Sequence, residues 1–217
     1  MDSFGILYED DNIIAVDKPC GMPVIPTRRE SEAPSLKQRL SQRLGKDVFV
    51  VHRIDEATSG AVVFAKDAAT HRHLNALFES KAVEKTYLAI AEGELPATGS
   101  IDAPLRTYGS GRIGVDSING KPSLTDFKLI KKLRGASLAE IYPRSGRRHQ
   151  IRVHLYHIGH PVLGDALYGN KRPVGGAARL MLHACKIAFT DIHGRKLSLE
   201  APVSADFTKI MESLFAP

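Results

Sequence analysis

The chain has 217 residues, 43% hydrophobic and 25% charged, which is enough apolar content for one sizeable core. No apolar run approaches the ~20 residues that cross a bilayer, and the acidic start MDSFGILYEDDN lacks the basic and apolar regions of a secretory signal, so a cytoplasmic protein with no membrane partner is expected. The two cysteines, Cys20 and Cys185, form no framework and no CxxC, and read as free thiols, while the net charge of +6 points toward a polyanionic partner without requiring one.

In chain order, ILYEDDNIIAVDKP predicts a strand, a turn and a second strand ended by Lys18 and Pro19, and CGMPVIPTRRESEAP predicts a loop. Ser35 can cap a helix running through Arg43, with Leu36, Leu40 and Leu44 at helical spacing and Gly45 as the stop. DVFVVHR and GAVVFAK are near-continuous apolar runs and predict two strands buried on both faces. Asp67 caps a helix to about Glu79 that buries Leu74, Leu77 and Phe78, and KTYLAIAEG is the next strand. Residues 96–120, rich in Gly and Ser, predict an exposed insertion. SLTDFKLIKKL and ASLAEIYP predict an antiparallel pair joined at Arg134-Gly135. HQIRVHLYHIG predicts a helix with Ile151, Leu155 and Ile158 on one side and Gly159 as its stop, and Arg147 and Arg148 stand at its start. A hairpin around Asp191-Ile192-His193-Gly194 and a closing helix over 204–215 complete the chain. Runs of adjacent strands argue for a single α+β domain over 1–217, with a mixed, mostly antiparallel sheet and flanking helices, rather than a doubly wound sheet.

The densest chemistry lies in VHRIDEATSGAVVFAK, where a short turn between two apolar runs carries His52, Arg53, Asp55, Glu56, Thr58 and Ser59. Asp55 has two readings: an aspartate that bonds its own turn, or a rigidly held carboxylate kept ionised by a cation and by Thr58 and Ser59. The first reading leaves Arg53 without a purpose. Arg147 and Arg148 oppose the dipole of the helix they precede, so a structural role does not explain them. Arg152 falls within that helix between the apolar positions Ile151 and Val153, where a guanidinium needs a carboxylate, and Asp55 is the candidate. Such a pair would keep Asp55 ionised, as a nucleophile requires. Tyr87, beside Lys81 and Lys85, reads either as core or as a pocket hydroxyl. The segment also holds His149, His154, His157 and His160, but there is no HExxH, no nearby Cys, and Asp165 lies beyond a Gly-Pro break. No metal is expected, and capping, packing or phosphate contact suits these histidines better. The arginine cluster Arg144, Arg147, Arg148 and Arg152, with Lys128, Lys131, Lys132 and Arg134 upstream, reads either as a solvated face or as a nucleic-acid contact.

HRIDEATSG resembles the HRLDxxTSG signature of the RluA-like pseudouridine synthases, EKTYLAIAEG that family's second motif, and GRRHQIRVHLYHIGHPVLGDALYG its third. RLMLHA, containing Leu182, is similar to its last core motif, and LYEDDNIIAVDKPCGMPV to its opening strands, so the resemblance runs in order over nearly the whole chain. Ile54 replaces the usual Leu, and Arg148 stands where Thr, Ser or Lys is more usual. The strands begin by residue 6, so the separate N-terminal RNA-binding module of many relatives is expected to be missing. The resemblance implies a pseudouridine synthase fold with a central cleft and an enzyme, a monomer, that isomerises uridine in an rRNA or tRNA stem-loop. The N1–C1′ bond breaks, the base rotates and C5 is joined to C1′, with no metal and no organic cofactor. By resemblance Asp55 is the nucleophile or general base, Tyr87 lines the base pocket and handles a proton or only positions the uracil, and Arg152 is the ion-pair partner of Asp55. Arg53 fills the gap left by the flipped base, and His52, Thr58, Arg147, Arg148, His149 and Leu182 are the further substrate-binding candidates. Extrusion of a base costs about a few kcal/mol, and a planar cation such as Arg53 can occupy the vacated space and bind phosphate. Two other classes are weaker. An RNA-binding module without catalysis would have no need of Asp55 or Tyr87, and a glycoside or nucleoside hydrolase needs a second flanking carboxylate, for which only the adjacent Glu56 is near in sequence.

Overall fold

The computed structural model describes residues 4–26, 34–170 and 174–215. Residues 27–33 of the expected loop lie outside these. The elements in chain order are β1 (Gly5–Glu9), β2 (Ile13–Lys18), α1 (Leu36–Leu44), β3 (Phe49–Val50), β4 (Ser59–Ala65), α2 (Ala68–Glu79), β5 (Glu84–Glu92), β6 (Thr98–Asp102), β7 (Leu105–Thr107), β8 (Ile113–Val115), β9 (Leu124–Leu133), β10 (Ala136–Pro143), α3 (Gln150–His157), β11 (Leu182–Thr190), β12 (Lys196–Glu200) and α4 (Ala205–Ser213). The architecture is α+β, a mixed, mostly antiparallel sheet with flanking helices. The chain forms two compact units, Met1–Lys85 with Ala184–Pro202, and Thr86–His183 with Val203–Pro217.

In the first unit the strand order is β1, β2, β4, β11, with β12 paired to β11 and β3 to β4. β2 and β4 run antiparallel from Ile13↔Ala65 to Lys18↔Gly60. Every residue of β4 is buried, as its unbroken apolar run predicts. One face joins Ile13, Ala15, Ala61, Val63 and Ala65 to Leu74 of α2 and to Ile187, Phe189 and Leu199. Helices α1 and α2 are capped as the sequence indicates. The Ser35 hydroxyl accepts from the Gln38 N–H with Gln38 returning to the Ser35 N–H, Gly45 closes α1 in the left-handed region, and Asp67 accepts from the Thr70 N–H.

The strand expected over DVFVVHR is a correction. Only Phe49 and Val50 pair with β4, and both are partly exposed. The next ladder position is taken by a side chain, since the N–H of Val63 donates to the His52 ring.

In the second unit the order is β5, β10, β9, β6, all antiparallel. β9 and β10 form the expected pair around Gly135, with an irregularity that leaves Ile130 without an opposite residue between Leu129↔Ala139 and Lys131↔Leu138. The exposed insertion over 96–120 is a second correction. It contains β6 and the β7–β8 hairpin, and Ile101, Ala103, Leu105 and Ile113 are buried. The hairpin is fastened to α3 through Leu105, Ile113, Val153 and Tyr168. Helix α3 starts at Gln150, and Arg147 and Arg148 lie in the turn before it rather than in its first turn. Gln150 through Leu155 are all buried, whereas Ile158, expected on the apolar side, is exposed.

Candidate active site

The turn after β3 is built from its backbone upward. His52 Nε2 accepts from Val63 N at 2.9 Å and its ring stacks on Phe78 at 4.9 Å between centroids. Burial, and then the charge of Lys85, push the imidazole down to about 3, so it is neutral at physiological pH and free to act as the acceptor. Burial also lowers the pKa of Lys85. Ile54 is buried while Arg53 before it is exposed, so the apolar side chain anchors the turn and the guanidinium projects from it. Asp55 follows, partly exposed.

The turn is then clamped by its carbonyls. The N–H of Thr58 donates to the Asp55 carbonyl at 3.0 Å, and the N–H of Gly21 to that of Glu56 at 2.9 Å. The Cys20 thiol donates to the Ala57 carbonyl at 3.2 Å. Lys18 is fully buried, and its ammonium donates to the carbonyls of Pro19, Met22 and Glu56 at 2.9, 2.8 and 3.0 Å. A buried cation held by three carbonyls fixes residues 18–22 to the turn that carries Asp55. In the sequence Lys18 reads only as the end of a strand. The available signal is its position, because it shares a face of β2 with Ile14 and Val16, where a lysine needs buried acceptors. Gly60 closes the turn at φ +114°, and a Cβ there would stand 2.3 Å from the Ala184 carbonyl oxygen. The glycine is required because the strand backbones approach that closely.

Tyr87, Arg147, Arg148, His149, Arg152 and Leu182 belong to the second unit, whereas His52, Arg53, Asp55 and Thr58 share the turn of the first. Tyr87 stands opposite Ile141 in the β5–β10 ladder, partly exposed, and Leu182 is buried at the start of β11. Arg152 is buried, and its Nε and Nη2 donate to the two oxygens of Asp165 at 2.7 and 2.8 Å. Desolvation raises the Asp165 pKa, but Arg152 and the N–H groups of Leu167 and Tyr168 outweigh it and hold the carboxyl below its usual range. Asp165 enters the sequence reading only as a possible metal ligand. Tyr168 lies 5.2 Å under the Arg152 guanidinium, and its hydroxyl meets His149 Nδ1 at 2.9 Å.

His149 caps α3 at φ +55°, an uncommon conformation for a residue with a side chain. Gln150 holds the turn before it, accepting from the Ser145 hydroxyl and the Arg147 N–H and donating to Leu124 and Thr125. Arg147 and Arg148 are thereby exposed on a fixed backbone. Both ring nitrogens of the buried His154 are engaged, with the Thr125 hydroxyl and the Ala103 carbonyl at 2.9 Å each, while His157 is exposed. Among the described residues no group of three or more His, Cys, Asp and Glu is placed to hold a metal ion.

Residues 12–157 match the family model described as RNA pseudouridylate synthase. The ribosomal large subunit pseudouridine synthase C of Vibrio vulnificus is 36% identical over 216 residues, covering 96% of this chain and 69% of that protein. The dual-specificity RNA pseudouridine synthase RluA of Escherichia coli is 36% identical over 207 residues, covering 93% of both. Among solved structures, human RNA pseudouridylate synthase domain containing 1 superposes with a TM-score of 0.78 at 26% identity, covering 93% of this chain and 84% of that one. With these matches added to the clamped aspartate turn, the chain belongs to the RNA pseudouridylate synthase family.

Proposed function

We propose that Asp55 is the residue on which uridine isomerisation turns, acting as the nucleophile or general base at the sugar or base. The observation that carries this reading is the turn itself. Its carbonyls at positions 55, 56 and 57 are each held by a hydrogen bond, so the carboxylate is presented on a rigid support. The reaction conserves atoms: the N1–C1′ bond breaks, a C5–C1′ bond forms, and the C5 proton is lost while N1 gains one. Arg152, whose guanidinium is held by both oxygens of Asp165, is the cation assigned to serve Asp55 in the reaction. Tyr87 lines the base pocket. Arg53, exposed two residues before Asp55, fills the stack when the base is extruded, and Arg147, Arg148 and His149 contact phosphate. No metal and no organic cofactor takes part.

The substrate is an rRNA or tRNA stem-loop, in line with the names of relatives that act on the large ribosomal subunit, on tRNA, or carry dual specificity. The protein acts as a monomer in the cytoplasm. The test is to map pseudouridine in rRNA and tRNA from cells lacking the protein and from the same cells after it is restored. One or a few positions are expected to revert to uridine and to return. An unchanged map in both RNA classes would remove the substrate assignment.

A further inference from the structure

The second unit contains a cavity of about 550 Å³ between the β7–β8 hairpin and α3, a size usual for ligand sites. Its floor is apolar and fixed: Ile113 and Val153 are buried, and the Ile113 N–H donates to the Tyr168 hydroxyl at 3.2 Å. Two tyrosines line it while keeping much of their surface in water, Tyr108 at 43% and Tyr156 at 49% exposure. Single exposed aromatics are ordinary, but two on one cavity are a concentration of flat apolar surface. The charged lining is cationic. Arg112 lies 5.4 Å over the Tyr168 ring and donates to the Leu167 carbonyl at 3.3 Å, and His157 stands on the α3 side. Among the described residues, none that lines the cavity is acidic. A cationic guest is opposed by Arg112, and a purely apolar one makes no use of its guanidinium. A flat aromatic body with an anionic handle satisfies both.

We propose that this cavity takes one unpaired nucleotide of the RNA, with its base against Tyr156 and Tyr108 and its phosphate at Arg112 and His157. The inference rests on the reading that the substrate is RNA. It adds a base-docking subsite between the β7–β8 hairpin and α3, whose lining includes no residue of the aspartate turn. The site binds any base, because stacking uses a face that all four share and the cavity is not lined by paired donors and acceptors that would discriminate between them.

The test uses the full chain and two fluorescently labelled probes, a cytidine RNA decamer and a decamer with abasic spacers and the same number of phosphates. The wild-type protein is expected to bind the cytidine decamer about tenfold more tightly than the abasic one, the scale of one stacked base. Tyr156→Ala should remove most of that preference, Tyr156→Phe should keep it, and Tyr108→Ala, on the other wall, should reduce it independently. Arg112→Ala should weaken both decamers equally and lower the salt slope by about 0.7, the value of one phosphate contact on a single strand. Wild-type protein with no preference between the decamers, or a preference that survives both Tyr156→Ala and Tyr108→Ala, would overturn the proposal. Isomerisation by the unaltered protein is followed separately, so failure of the RNA reading and failure of the subsite give different results.

Discussion

The imidazole of His52 takes a place that a strand carbonyl would ordinarily fill. It accepts the Val63 N–H and is kept neutral by burial and by Lys85. Because its pKa lies near 3 in the folded protein and near ~6.5 in the unfolded chain, the unfolded state takes up the extra proton between those values. The stability linked to this residue is complete above about pH 6.5 and is lost as the solution is acidified toward about 3. His52→Phe retains a ring to stack on Phe78 but leaves the Val63 N–H without its acceptor, which should cost about 1–3 kcal/mol at pH 7. Urea unfolding at pH 7 and pH 4.5 should show the variant less stable at the first pH, with a smaller further loss at the second than wild type. Equal losses on acidification would remove His52 from the account. Arg152 gives a second test at this scale. Asp165→Asn leaves a buried guanidinium short of its carboxylate, a change that costs about 3–5 kcal/mol where the pair is fully buried. A double-mutant cycle of Asp165→Asn with Arg152→Ala should show coupling above about 0.5 kcal/mol, and additivity would deny the interaction.

At the level of elements, a tight constraint beside the aspartate turn is the meeting of β4 with β11 at Gly60. A methyl group there meets backbone rather than a mobile side chain, and the residue holds φ +114°. Gly60→Ala should lower stability by about 1–3 kcal/mol through overpacking alone, read as a lower urea midpoint with an unchanged slope. An unaltered midpoint would mean that the strands can part at no cost. Much of the element plan is legible in the sequence. Ser35, Gly45 and Asp67 cap where local chemistry directs them, and Gly135 turns the β9–β10 pair, because caps and turns depend on residues a few positions apart. What stays hidden depends on distant partners. The ladder position surrendered to His52 and the Arg152–Asp165 pair leave no periodic trace, and the strand period that puts Lys18 on the buried face with Ile14 and Val16 does not reveal that the carbonyls of Pro19, Met22 and Glu56 hold it. The Gly and Ser of residues 96–120 mask β6 and a hairpin that Ile113 and Leu105 hold against α3. In the candidate site, Asp55 stands out because a carboxylate between apolar runs is costly unless it is supported. Apart from the Thr58 N–H, its supports are not visible in the turn itself, because they come from Lys18, Cys20 and Gly21.

For the molecule as a whole, charge sets how RNA is held. Several of the basic residues that cluster in sequence are already engaged in the fold. Lys132 pairs with Glu94, Lys131 lies 3.8 Å over the Phe215 ring, Arg134 donates to Ser213, and Arg144 pairs with Asp126 at 2.7 Å. Arg148 is exposed on the turn fixed by Gln150. Affinity for a stem-loop should therefore fall with salt, and Arg148→Ala should lower the slope by about 0.7–0.9 for each phosphate it no longer neutralises, more than Arg144→Ala does. A larger effect of Arg144→Ala would reverse this assignment. The central claim, that the clamped turn exists to present Asp55 for chemistry, is tested most directly by tritium release from RNA labelled at uridine C5, measured in single turnover alongside binding of the same RNA. Asp55→Asn should abolish release while binding stays within about tenfold, or ~1.4 kcal/mol. Release at a near-normal rate by the Asn variant would contradict the account.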